Sequence, residues 1–184
     1  MTGRGDGGDA EHRVGQGRAV GRWVLLSYRL PREPSTPRIA VWRKLERLGA
    51  ARLGDGLVVL PADARTREQL DWLAEEIGEA GGTATVWLAI PGSAAQERAI
   101  VQAMRTSRAA EYQAVVAQAR AAADGTAVER ARAARRLRDE LRRIARRDFF
   151  PPAERDTAQT AVHALAADLA GTDQAAGEAL EERR

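Results

Sequence analysis

The chain has no cysteine, which removes disulfides, thiolate metal ligands and cysteine nucleophiles in one step. Its only histidines are His12 and His163, too far apart in sequence for an HxxxH pair. No clustered carboxylates with metal-ligand spacing, no GxSxG and no phosphate-binding loop stand in the remaining sequence. With no nucleophile-and-base pair to be found, the expectation is a protein that is not an enzyme and needs no metal or cofactor. Aromatic residues make up only 4% of the chain, so alanine and leucine must fill most of the core, a composition that favours helix. No run approaches the roughly 18 apolar residues of a membrane span. The first twenty residues lack the apolar centre of about 7–15 residues that marks a signal peptide, and cytoplasmic residence is the expectation. Lysine is nearly missing as well. Lys44 stands alone beside 28 arginines, and the excess of 29 basic over 26 acidic residues is a net charge of only +3. Arginine's planar fork suits phosphates, oxyanions and carboxylates, although an arginine bias in base composition gives the same count.

What is present divides the 184 residues into four stretches. Residues 1–21 are glycine-rich, charged and aperiodic, and read as a disordered tail. Residues 22–92 alternate strand and helix signals. Trp23 to Leu30 is aliphatic and aromatic and stops at Pro31, as a strand does. Ser35 or Thr36 can cap a helix that takes Pro37 in its first turn and stops at Gly49, with Val41, Trp42, Leu45 and Leu48 on its apolar side. Ala50 to Leu53 and Leu57 to Leu60 flank Gly54-Asp55-Gly56, a hairpin loop in which Asp55 is a turn residue. A helix from Asp63 or Thr66 to about Ala80 repeats Leu70, Leu73, Ala74 and Ile77 at one-face spacing, and Thr83 to Ile90 is a last strand before Pro91-Gly92. The order βαββαβ is that of ferredoxin-like units. Alternation along the first strand puts Val24, Leu26, Tyr28 and Leu30 on one sheet face and Trp23, Leu25, Ser27 and Arg29 on the other. Both faces carry apolar groups, so both are expected to be covered.

The cover is expected from residues 93–170, which read as three helices: Ala94 to Ala123, Thr126 to about Arg147, and Ala153 to Ala170. Residues 171–184 read as a flexible end. The fold expectation is therefore α+β, a ferredoxin-like core followed by a three-helix C-terminal extension.

The middle helix of the extension carries the strongest charge signal. From Glu129 to Asp148 nine arginines face four acids, a net +5. Ala134, Leu137, Leu141 and Ile144 cluster on one side of the wheel, while Arg132, Arg135, Arg136, Arg138, Arg142, Arg143 and Arg146 spread over the other. Such a face can neutralise DNA phosphates; its alternative is a solvated helix face. Trp42 is expected in the core and Trp72, opposite the Leu70–Ile77 stripe, at the surface as a contact residue. Trp23 and Trp87 could stack bases as an RNA-recognition sheet does, but the aromatic-glycine signature of that module is missing.

Several of these segments resemble the N-terminal domain of the ChrB family, the chromate-resistance regulators. The resemblance lies in Trp23–Pro31, in Arg38-Ile39-Ala40-Val41-Trp42-Arg43 with Leu45 and Leu48-Gly49-Ala50, and in Asp55–Pro61 and Gly81-Gly82-Thr83-Ala84. It extends to Ala145-Arg146-Arg147-Asp148-Phe149-Phe150-Pro151 near the end, and the resemblance as a whole covers most of the chain, roughly residues 22–170. It implies a chromate-responsive transcriptional regulator, with DNA as partner and chromate as effector. More distantly the chain is similar to the middle domain of PaaX-type repressors, which implies a homodimer. Longer ChrB members carry a second, C-terminal domain; this sequence matches the first and is expected to lack the second. Without cysteine, chromate would be bound reversibly by arginine forks, and Arg38 and Arg43 are the matching candidates. A non-catalytic interaction module with no DNA contact is the alternative function.

Overall fold

The computed structural model describes residues 21–181, with side chains as far as residue 167. The expected tail, His12 included, lies outside these residues except for Gly21, and so do the side chains of the expected flexible end. In chain order the elements are β1 (Trp23–Arg29), α1 (Thr36–Leu48), β2 (Ala51–Gly54), β3 (Leu57–Pro61), α2 (Ala64–Glu79), β4 (Thr83–Ala89), α3 (Ala94–Ala122), α4 (Ala127–Ala145) and α5 (Glu154–Glu181). The four strands form one antiparallel sheet in the order β2-β3-β1-β4. The fold is mixed, an antiparallel sheet with five helices among the described residues. α5 runs past the expected stop at Ala170.

Local chemistry explains most boundaries. Asp63 caps α2 by accepting a hydrogen bond from Thr66 N, while the Thr66 hydroxyl accepts from Asp63 N, a reciprocal capping box. Ser93 accepts from Gln96 N at the start of α3, and Thr126 with Glu129 forms a second capping box on α4. α1 is different: Ser35 occupies the cap position without a side-chain bond, and Pro37 in the first turn removes one N–H that would otherwise need a partner. Its stop is set by Gly49 at φ 72°, a left-handed conformation that costs other residues about 1–2 kcal/mol.

One face of the sheet packs on α1 and α2. Val24, Leu26, Val58 and Leu60 from the strands meet Val41 and Leu45 of α1 and Leu70, Leu73 and Ile77 of α2, all buried. Trp42 is not among them and is 48% exposed. At 100° per residue it stands roughly 100° round the helix from Val41, whereas Leu45 and Leu48 fall within about 40° of it. The buried stripe is therefore narrower than the sequence suggested, and Trp42 is a surface residue. Trp72 is exposed, as its position opposite the α2 stripe requires.

The other sheet face is covered over only part of its width. Trp23 and Val59 are buried there, beneath Ile100 and Met104 of α3 and the partly buried Phe149 and Phe150. The Trp23 and Phe150 rings lie 6.0 Å apart, and the Trp23 indole N–H donates to Glu97. Trp87 on β4 shares this face, opposite Leu25, yet is exposed. The expected full cover thus fails at β4, because α3 starts beyond that strand and leads its apolar residues toward β2.

The outer half of α3 joins α4 and α5 around a second core. Tyr112, Val115 and Ala119 meet Ala134, Leu137 and Ile144 from α4 and Ala158, Val162 and Leu165 from α5. Alanines let the three backbones approach closely, which is how a chain poor in aromatics packs a bundle.

Candidate functional site

α4 is a helix whose inner side is fixed by this core. Ala134, Leu137 and Ile144 are buried against α3 and α5, which leaves the opposite side no choice but to face outward. The seven arginines singled out from the sequence, Arg132, Arg135, Arg136, Arg138, Arg142, Arg143 and Arg146, are all exposed. At 100° per residue they span an arc of roughly 160°, along a helix about 28 Å long. Two of them are engaged by acids three residues earlier, Arg142 with Asp139 and Arg143 with Glu140. Arg136 donates to the Gln118 side-chain oxygen at 2.7 Å. The guanidinium groups of Arg132, Arg135, Arg138 and Arg146 have no hydrogen-bond or ion-pair partner among the described residues. Solvated guanidinium groups spaced along one helix face can each contact a phosphate, because their charge is permanent and their donors are free.

The other two arginines of this helical stretch are turned inward. Arg130 donates to the Gly125 carbonyl oxygen and helps close the α3–α4 turn. Arg147, just past α4, belongs to a junction that the sequence did not suggest. Glu111 of α3 pairs with Arg108 at 3.1 Å and with Arg147 at 2.7 Å, and the Tyr112 hydroxyl donates to Asp148 at 2.9 Å. Arg108 is 6% exposed, and burial lowers its pKa despite the neighbouring Glu111. Burial, then the hydrogen bond and charge of Asp148, pushes the Tyr112 hydroxyl well above the usual tyrosine value. Arg108 Nη1, Arg147 Nε and Asp148 Oδ1 are buried without hydrogen-bond partners.

The junction also touches the end of α1. A Cβ on Gly49 would lie 2.8 Å from both the Cβ and the carbonyl oxygen of Arg147, so the end of α1 rests directly on the end of α4. Beside it a cavity of about 210 Å³ is lined by Glu46, Arg52, Met104, Ser107 and Arg108 among others. Glu111 already pairs with Arg108, so that charge is not free for an added anion.

The oxyanion candidates are not brought together. Arg38 and Arg43 are both exposed on α1, and five residues of helix separate them by roughly 140°. They cannot converge on one small anion. His163 is exposed on α5, and among the described residues no group of three or more histidine, cysteine, aspartate or glutamate side chains is placed to hold a metal ion.

The family model for the N-terminal region of protein ChrB matches residues 38–181, which include both the α4 stripe and the junction. The chain belongs to the ChrB N-terminal family. Protein ChrB of Cupriavidus metallidurans is 34% identical over 133 residues, 70% of this chain and 40% of that protein. The chain thus spans about two fifths of the length of that ChrB relative. The family match begins after β1, so the strand Trp23–Arg29 lies outside it although its sequence contributed to the resemblance. No helix among the described residues is long and apolar enough to cross a membrane.

Proposed function

We propose that this ChrB-family chain is a chromate-resistance-associated regulatory protein that binds DNA through the outer face of α4. The single observation behind this reading is the stripe of seven exposed arginines, four of them without partners, on a helix whose other face is locked in a core. Family membership supports the association with chromate resistance. The core is read as a ferredoxin-like scaffold, supported by the βαββαβ element order and by β1 and β3 as its central antiparallel pair. The role is non-catalytic, the working unit is a homodimer in the cytoplasm, and chromate is the effector, bound at a site other than the divergent Arg38 and Arg43. The contact is to the phosphate backbone, which supplies affinity and not sequence choice.

The test is the mobility of duplex DNA carrying the chain's own promoter region, at low salt, with the protein and with a variant in which Arg135, Arg138 and Arg146 are glutamine. Retardation by the parent and its loss in the variant support the proposal; unchanged mobility with the parent removes it. Titration with chromate, using sulfate as control, tests the effector separately, and equal binding of the two removes selectivity.

A second reading has its own observation. Trp42 on α1 and Trp72 on α2 are both about half exposed or more, and Trp72 flanks a groove with Lys44, Leu48 and Leu73, features of a protein-contact surface. On this reading the arginines are a solvated face, and the triple glutamine variant behaves as the parent with DNA.

A further inference from the structure

The two edges of the sheet are built differently. Edge strands present unpaired N–H and C=O groups, and proteins protect them by shortness, charge, proline or a bulge. β2 has three of these: it is four residues long, carries Arg52, and its register with β3 shifts between Arg52 and Gly54. β4, at the opposite edge, has none. It is seven residues long and pairs with β1 without a break from Thr83 to Ala89. The 17 residues between Glu79 and Glu97 contain no charge, and Pro91 stands beyond the strand. Trp87, Leu88 and Ile90 are 56%, 49% and 75% exposed, so apolar groups lie on both sides of this open edge. A β-prone, uncharged, exposed edge is a pairing surface unless something covers it.

We infer that a second copy of this chain covers it, β4 pairing antiparallel with β4 across a twofold axis to give a continuous eight-stranded sheet. An antiparallel strand is its own complement under a twofold rotation, which makes the contact closed and self-limiting. Because the whole stretch is uncharged, no like charges meet in any register of that pairing. Trp87 lies on the half-exposed face, where cross-strand aromatic contacts add to the backbone bonds. Seven residues give an edge of roughly 24 Å. With Trp87, Leu88 and Ile90 from each copy the contact is on the order of 1,000 Å², the lower bound of a specific interface, so the dimer should be concentration-dependent.

This inference rests on the homodimer proposed above and is independent of DNA contact. It is tested by sedimentation of the full chain from low micromolar to submillimolar concentration, together with amide hydrogen exchange of Thr83–Ile90. The mass should rise from 19.9 kDa to twice that value, and the β4 amides should gain protection in step. Trp87→Lys and Thr85→Lys, both at exposed positions, should keep the circular dichroism of the parent and weaken dimerisation by at least about thirtyfold. A dimer that persists in both variants, with β4 amides exchanging alike at all concentrations, overturns the edge pairing and leaves the homodimer standing. A monomer at every concentration overturns both.

Discussion

Replacing Gly49 with alanine probes the contact between the end of α1 and the end of α4. Two costs add. The residue sits at φ 72°, where a Cβ costs about 1–2 kcal/mol. The new Cβ also lies 2.8 Å from the Arg147 Cβ and the same distance from its carbonyl oxygen, and backbone cannot turn aside as the end of a side chain can. Overpacking of this kind adds about 1–3 kcal/mol. The sum is about 2–5 kcal/mol, which for a chain of this size lowers the melting temperature by roughly 4–20 °C. Gly78 in α2 is the control, since a Cβ there meets nothing within 4 Å. Gly78→Ala should stabilise by about 0.4–1 kcal/mol through the unfolded chain. Urea melts followed by circular dichroism measure both. If Gly49→Ala melts with the parent, α1 and α4 do not meet as described.

Removing the Tyr112 hydroxyl takes away the donor to the part-buried Asp148 Oδ2, so Tyr112→Phe should cost about 1 kcal/mol at neutral pH in urea melts. The raised value of Tyr112 has a definite sign: its contribution is present below the ordinary tyrosine value near 10 and is lost as pH rises beyond it. Stability of the parent should therefore fall on the alkaline side, and the fall should be shallower in Tyr112→Phe, with Tyr28, also raised by burial, keeping a residual slope. Asp63→Ala removes the α2 cap and should destabilise by about 1 kcal/mol in the same assay, while Asp63→Asn should cost less.

The element order was readable because punctuation and period are local. Pro31, Gly49, Gly54-Asp55-Gly56 and Gly81-Gly82 lie at or beside the ends of elements, and the 3.6-residue repeat of Leu70, Leu73 and Ile77 names the buried side of α2. The arginine stripe was readable for the same reason, since Ala134, Leu137 and Ile144 orient α4 and thereby place every arginine on it. Trp42 was misplaced because an apolar residue at the margin of a helical stripe is buried only if a neighbour reaches that margin, and the neighbour is not local. The junction was hidden for a related reason. Tyr112 and Asp148 are 36 residues apart, and Gly49 and Arg147 are farther still, so no periodicity connects them. The segment Arg147-Asp148-Phe149-Phe150 stood out only as a shared string of residues. Its physical meaning is that Arg147 pairs with Glu111 and Asp148 with Tyr112, which ties the end of α4 to α3, while Phe149 and Phe150 pack against the core around Trp23 of the sheet.

The central claim, that the outer face of α4 contacts DNA phosphate, is tested most directly by the salt dependence of binding. Fluorescence anisotropy of a labelled duplex over a series of salt concentrations yields the slope of log affinity against log salt. Four to seven phosphate contacts predict a slope of about −4 to −6, at about 0.9 per neutralised phosphate. Arg135→Gln with Arg138→Gln and Arg146→Gln should reduce its magnitude by about 2.7 while leaving the melting temperature of the protein unchanged. An identical slope in the parent and the triple variant contradicts the claim and leaves the arginines as a solvated face.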